Sequence, residues 1–200
     1  MHIYVLILKK VIYLQKIGDV DDIVLKKLKK NLKRRFFNHV DSVEVLEKKI
    51  SLSSLQYHPE KKQYDVSFFL NCLKKFVKNK NQFRTLAIID KDIYTNDYNF
   101  IFGRAHYPSN EFLKTNGVAL ISIYRLRESF YGRSENKRLF KSRILKEAIH
   151  EIGHTFNIKH CKKYCVMQYS SSLDEADRKP LNFCKSCLKE IDVFLNNISV

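Results

Sequence analysis

The chain has 200 residues but only five glycines and three prolines, and no Gly/Ser-rich stretch or internal repeat divides it. That absence argues against a flexible linker between independent domains, and the length suits one domain with a sizeable core. No run approaches the roughly twenty apolar residues that a membrane-spanning helix needs. The apolar start, MHIYVLILKK, has no basic n-region and no small-residue cleavage site, so it reads as a strand rather than a signal peptide. The expectation is a soluble, cytoplasmic protein. There thiols stay reduced, and clustered cysteines bind metal rather than pair as disulfides. Acidic residues are scarce: 21 Asp and Glu stand against 37 Lys and Arg, a net charge of +16. Such a balance fits acidic partners, nucleic acid or a merely solvated lysine-rich surface. The lack of any block of five like charges, and of an arginine-rich arm, favours the solvated surface and makes nucleic acid a disfavoured partner.

What is present is concentrated in residues 150–160, HEIGHTFNIKH, which hold three of the seven histidines. Positions four apart share a helix face, so His150 and His154 can grip one metal ion. Glu151 sits one residue round, within reach of a water activated there. After a sharp turn His160 can return as a third ligand. Three neutral imidazoles with one open position describe a catalytic zinc site. HExxH alone arises by chance on many helices, but a third His six positions later makes the pattern specific. The bland alternative is a helix end with three unconnected histidines.

The remaining chain reads as α/β. Residues 2–8 are expected as a first, buried strand. Residues 19–37 form an amphipathic helix, with Val20, Ile23, Val24, Leu28, Leu32 and Phe36 on one face and a cap from Asp19 or Asp21. Residues 40–46 alternate like a half-buried strand. Pro59 opens a second helix near residues 60–79, whose buried stripe is Tyr64, Phe68, Cys72, Leu73 and Phe76, with Cys72 as core. Residues 84–90, 98–105 and 117–125 are further strands, the first of them central. Residues 134–156 form one long helix, packed on the sheet through Leu139, Phe140, Ile144, Leu145, Ala148 and Ile152. This gives an α/β sandwich around a mixed sheet. It is one domain, residues 1–200, with lobes 1–157 and 158–200 meeting at Asn157.

A second cluster follows the first. Cys161 and Cys165, then Cys184 and Cys187 in a CxxC pair, suit a closed tetrahedral zinc site that holds together a small lobe. Free or disulfide-bonded cysteines are the alternative.

The motif HExxHxxxxxHC, then Cys165-Val166-Met167, then CxxC, resembles the archaemetzincin family of metzincin zinc metallopeptidases. QYDVSFFLNCL, AIIDKDIY, NFIFGRA, ISIYRL and KEAIHEIGHTFN resemble family segments too, so the likeness covers roughly residues 60–190. It implies a metzincin-like fold and two zinc ions per chain. The catalytic zinc lies on His150, His154 and His160; the structural zinc lies on Cys161, Cys165, Cys184 and Cys187. It also implies a Met-turn at Met167 beneath the site. Two departures are visible. Asn157 stands where the family turn has Gly, and a left-handed residue there is tolerated by Asn next after Gly. The Cys161–Cys165 spacing is one residue short.

The expected chemistry is hydrolysis of a peptide or protein substrate, with Glu151 as general base and main-chain pairing along an edge strand at residues 99–105. Tyr169 lies two residues after Met167, where some metzincins place a Tyr that hydrogen-bonds the developing oxyanion. Simple packing beside the Met-turn is its weightier alternative. Two rival functions are a non-catalytic zinc-stabilised binding module for nucleic acid or acidic partners, and a gluzincin whose third ligand is Glu175. An intact Glu151 argues against the first; His160 and the CxM tripeptide argue against the second. The chain is expected to be a monomer.

Overall fold

At the centre of the computed structural model, which describes residues 9–52, 57–78, 80 and 82–198, lies a five-stranded sheet. Its strands are β1 (Val11–Ile17), β2 (Ser42–Val45), β5 (Arg84–Ile89), β7 (Gly103–Ala105) and β8 (Gly117–Ser122). The spatial order is β2-β1-β5-β8-β7. All neighbours are parallel except β7, which runs antiparallel to β8 at the edge. A small second sheet joins β3 (Tyr57–His58), β4 (Gln63–Asp65) and β6 (Ile93–Tyr94).

The inner strands are apolar on both faces, as strands covered on both sides must be. In β5, Leu86 and Ile88 face one core while Ala87 and Ile89 face the other. In β8, Ala119 and Ile121 alternate with Val118 and Leu120 in the same way. One core packs the sheet against α1 (Asp22–Arg35), α4 (Lys137–Thr155) and α6 (Lys185–Asn197). The other packs it against α2 (Val66–Lys78) and α3 (Glu111–Thr115). Helix α5 (Leu173–Arg178) joins the first core through Leu173 and Ala176. This is the mixed-sheet α/β sandwich expected. Among the described residues no helix is long and apolar enough to cross a membrane.

Several elements differ from their sequence reading. The strand expected over residues 2–8 lies outside the described residues. The strand that pairs with both β2 and β5 is β1, whose Gln15 and Lys16 hide its apolar pattern. Gln15 is tolerated in the core because its amide donates to the carbonyls of Lys16 and Lys48. Helix α1 is capped by Asp21, whose side chain accepts from Ile23 N, but Ile23 itself is 56% exposed. Helix α2 begins at Val66 rather than near Glu60, because residues 63–65 pair as β4; Asp65 Oδ1 accepts from Ser67 N at its start. Its buried face is Val66, Phe69, Leu70, Leu73 and Val77, so Phe68 is exposed and Cys72 only partly buried. Of residues 98–105 only the last three pair as a strand, and β8 ends at Ser122.

The long helix is where sequence and structure agree best. Asn136 caps α4, its side chain accepting from Arg138 N and Leu139 N. From Arg143 to Thr155 every residue is buried. Only an element covered on all sides looks like this. Its charged members are paired. Arg143 binds Asp177 through two bonds of 2.7 and 2.5 Å and also Glu128. Lys146 donates to the carbonyls of Ala176 and Asp177, and Lys179 meets Glu147 at 3.3 Å. These links fasten residues 176–179 to α4. Buried residues of the C-terminal stretch, among them Val166, Met167, Cys187, Ile191 and Leu195, belong to the same core as α4 rather than to a core of their own.

Candidate metal centre

Helix α4 ends by turning sharply at Asn157, with φ of 67°. Ile158 N donates to Gly153 O and Asn157 N to His154 O, the paired bonds of a Schellman ending. The left-handed residue is therefore Asn157, as the turn required. It brings the chain back so that His160 faces His150 and His154. The three rings lie within 4.6 to 5.3 Å of one another, and one nitrogen from each falls within a 4.8 Å group.

The second nitrogens explain the orientation. His150 Nδ1 lies 2.9 Å from Val166 O, and His154 Nδ1 lies 2.7 Å from Ile158 O. A backbone carbonyl can only accept, so each Nδ1 carries the proton and each Nε2 keeps its lone pair free. The two Nε2 atoms face each other at 3.1 Å. Two nitrogens sharing one tetrahedral zinc at ordinary bond lengths lie about 3.3 Å apart, so the pair has the spacing a metal asks for. Burial holds His150 well below its ordinary pKa and lowers His154 to about 4, so both rings are neutral and able to bind a cation.

Glu151 is buried beside them, and among the described residues its Oε2 has no hydrogen-bond partner. Burial, then the neighbouring Glu147 carboxylate, raises its pKa well above the ordinary value. An orphaned carboxylate oxygen beside three convergent imidazoles fits a donor set able to hold a cation and a water. The side chain lies against β7: a Cβ on Gly103 would sit 2.7 Å from Glu151 Cγ. Gly103 is thus the glycine that lets the edge strand approach Glu151.

The four cysteines also converge, with all sulfurs within 4.8 Å. Cys161 Sγ lies 3.8 Å from Cys184 Sγ. A tetrahedron with metal–sulfur bonds of 2.3 Å has sulfur–sulfur edges of about 3.8 Å, so this donor set fits zinc. Cys184 is the N-cap of α6 and Cys187 lies in its first turn.

One tripeptide serves both clusters. Cys165 belongs to the sulfur group, and Val166 O orients His150. Met167 O accepts from Cys161 N, and Met167 Sδ lies so close to α4 that a Cβ on Gly153 would approach it to 2.5 Å. The glycine of HEIGH is there to admit Met167.

Tyr169 is 51% exposed; its ring packs edge-on against His160 at 5.1 Å, and its hydroxyl is a hydrogen-bond neighbour of Tyr98. Glu175, the rival third ligand, is occupied elsewhere. Its Oε2 accepts from Ser171 and Ser172 in a capping box at the start of α5. The gluzincin alternative therefore fails.

Sequence reasoning missed three participants. Tyr107 places its hydroxyl 2.9 Å from His154 Nδ1, and no pattern in its segment marks it. Glu147 lines the same cleft, one helical turn before Glu151; the i, i+4 spacing was the available signal. Buried Lys179 ties Glu147 to Ser170 Oγ, which only tertiary folding reveals. The cleft over these residues has a volume of about 470 Å³ and is walled by residues 98–105 on one side and 169–171 on the other. A separate groove of about 350 Å³ between α1 and α4 has neither His nor Cys in its lining.

Comparison with known proteins agrees with this arrangement. An archaemetzincin of Methanocaldococcus jannaschii is 37% identical over 181 residues, 90% of this chain and 92% of that one. The crystal structure of an archaemetzincin from Archaeoglobus fulgidus superposes with a TM-score of 0.73 at 32% identity, covering 90% of this chain and 99% of that chain. A zinc-dependent peptidase from Methanocorpusculum labreanum superposes with a TM-score of 0.76 at 28% identity over 90% and 99% of the two chains. The profile of Peptidase family M54 matches residues 8–193, and with the fold and both ligand clusters in place, this chain belongs to that family.

Proposed function

We propose that this chain is a zinc metallopeptidase that hydrolyses peptide bonds, with Glu151 as general base. The observation that carries the reading is the buried Glu151 carboxylate, with an oxygen left without a partner, beside three imidazoles that each bring a nitrogen into one group. In this reading His150, His154 and His160 hold the catalytic zinc, and Cys161, Cys165, Cys184 and Cys187 hold a structural one, two ions per chain. Residues 1–157 and 158–200 are lobes of a single domain, acting as a monomer. Bound zinc supplies Lewis-acid chemistry, polarising a carbonyl and acidifying water.

The chain's own residues do the rest. Glu151 takes the proton of the attacking water on a carboxylate oxygen and returns it to the leaving amine. The open edge of β7 pairs with the substrate main chain, narrowing the expected segment 99–105 to Gly103–Ala105. Met167 supports the helix floor beneath the histidines. Tyr169 stands at the rim, positioned to swing toward an oxyanion once its contact with Tyr98 is released.

The rival binding-module reading, with nucleic acid or an acidic partner, has no use for an orphaned carboxylate in a cleft. The test is Glu151→Gln. The amide holds a water but cannot take its proton, so zinc content stays at two ions while cleavage of a peptide library falls by about a hundredfold or more. Cleavage at the wild-type rate would remove Glu151 as the base. Salt-dependent binding of DNA or RNA with no peptide cleaved by wild type would favour the module.

A further inference from the structure

Twelve large hydrophobic side chains are exposed among the described residues, and their distribution is uneven. Tyr98, Tyr107 and Tyr169 line the cleft. Tyr124, Phe130 and Tyr131 lie together on the turns between β8 and α4, each 38–39% exposed. The Phe130 ring meets Tyr124 at 5.4 Å and Tyr131 at 4.9 Å, both edge-on. Arg125 joins this group to the cleft. Its guanidinium lies 4.7 Å from the Phe130 ring and 4.2 Å from Phe100, which itself lines the cleft and packs on Phe102 at 5.6 Å. Asp92 neutralises Arg125 through two bonds of 2.7 and 2.6 Å. The ledge therefore presents ring surface rather than free charge. Rigid aromatic area of this kind costs little entropy when a partner covers it.

Direction follows from the edge strand. Glu151 lies under Gly103, which marks where the bond is attacked. Phe102 and Phe100 precede Gly103. A peptide paired antiparallel to β7, the firmer of the two ladder types, runs its C-terminal side past Phe102 and Phe100 toward the ledge.

We infer that Tyr124, Phe130 and Tyr131 form a remote subsite for an apolar or aromatic side chain on the C-terminal side of the cleaved bond. This rests on the peptidase reading and names part of the substrate class: extended peptides with such a residue beyond the cleft. The occupant is the substrate itself, because the ledge is continuous with the wall of the cleft.

Binding and cleavage are to be measured apart. The probes are fluorescein-labelled peptide pairs, identical except for Phe or Ser, with the substitution moved stepwise along the C-terminal side. Zinc-loaded Glu151→Gln protein reports binding by anisotropy; the wild type reports cleavage. At one position Phe binds about tenfold or more tighter than Ser, as burial of one aromatic ring warrants. Adding Phe130→Ser or Tyr131→Ser to that protein brings the ratio close to one, with zinc content and melting temperature checked in each. Discrimination that survives both changes, or its absence at every position, overturns the subsite. Discrimination in binding with no cleavage of any peptide leaves the subsite standing and sinks the peptidase reading. Cleavage without discrimination sinks the subsite alone.

Discussion

The two ligand clusters lie next to each other in the chain, at His160 and Cys161, yet they are built in opposite ways. Two of the three histidines stand on a stretch of helix, residues 143–155, that is buried throughout and braced by ion pairs. The cysteines come from two separate segments, the loop after α4 and the cap and first turn of α6, which share the core with α4 but lack a regular element common to both pairs. The histidine cluster opens onto a cleft with a buried carboxylate that has one unpaired oxygen; the cysteine cluster has no such neighbour among the described residues. A site held by its scaffold can leave a position free for chemistry. A site that must hold its own scaffold spends every ligand on that task.

The sharpest test of this contrast compares Cys184→Ser with His154→Ala. Metal binding to a site that does not exist in the unfolded chain is folding energy, so Cys184→Ser is expected to cost several kcal/mol and lower the melting temperature by about 10 °C or more. His154→Ala costs distinctly less, because α4 stays packed on the sheet. Calorimetric melts of the two variants check the order. Equal losses would erase the distinction between a scaffold-held and a ligand-held site.

A second test uses pH on protein whose histidine cluster has been freed of zinc by a mild chelator while the cysteine cluster keeps its own. Folded His154 titrates at about 4 against an ordinary 6.5, because burial penalises its charged ring. Below pH 6.5 the unfolded chain takes up the proton and the folded chain does not. Stability therefore falls as pH drops from 6.5 and levels off near 4, by on the order of 3 kcal/mol in all. His154→Gln should flatten that part of the profile in denaturant titrations. An unchanged profile would mean that the ring is not held neutral by the helix scaffold.

The bridge between the clusters is testable through Gly153→Ala. The added methyl meets Met167 Sδ at 2.5 Å and Phe183 Cε1 at 3.1 Å, so the Met167 side chain must move. A destabilisation of about 1–3 kcal/mol is expected, with weaker zinc retention at both clusters, read by chelator competition. Loss confined to one cluster would show that residues 165–167 do not couple them. The smallest effect is expected at the turn. Asn157→Gly relieves a left-handed residue that already has its hydrogen bonds and should stabilise by no more than about 1 kcal/mol. A loss of stability on urea unfolding would contradict the conformational reading of Asn157.

Both groups of residues that could hold a metal were legible in the sequence, because helical spacing is a local property. HExxH places two rings on one face of any helix, and an asparagine followed by a third histidine specifies a turn and a return. CxxC is equally local. The α/β alternation, the central strand at residues 84–89 and the long helix could be read for the same reason. What depended on contacts between distant segments could not. Whether VIYLQKI is a strand was decided by β2 and β5 on either side of it, which satisfy a pattern broken by Gln15 and Lys16. Which face of α2 is buried was settled by the sheet beneath it, one position away from the stripe read off the sequence. Glu147, Lys179 and Ser170 meet only because α5 folds back on α4, and Tyr107 reaches His154 from 47 residues away. Composition and spacing alone determined which residues can bind metal. Tertiary packing alone decided which carboxylate is buried with an oxygen left unpaired, since burial and pairing are properties of the assembled core and not of any stretch of chain.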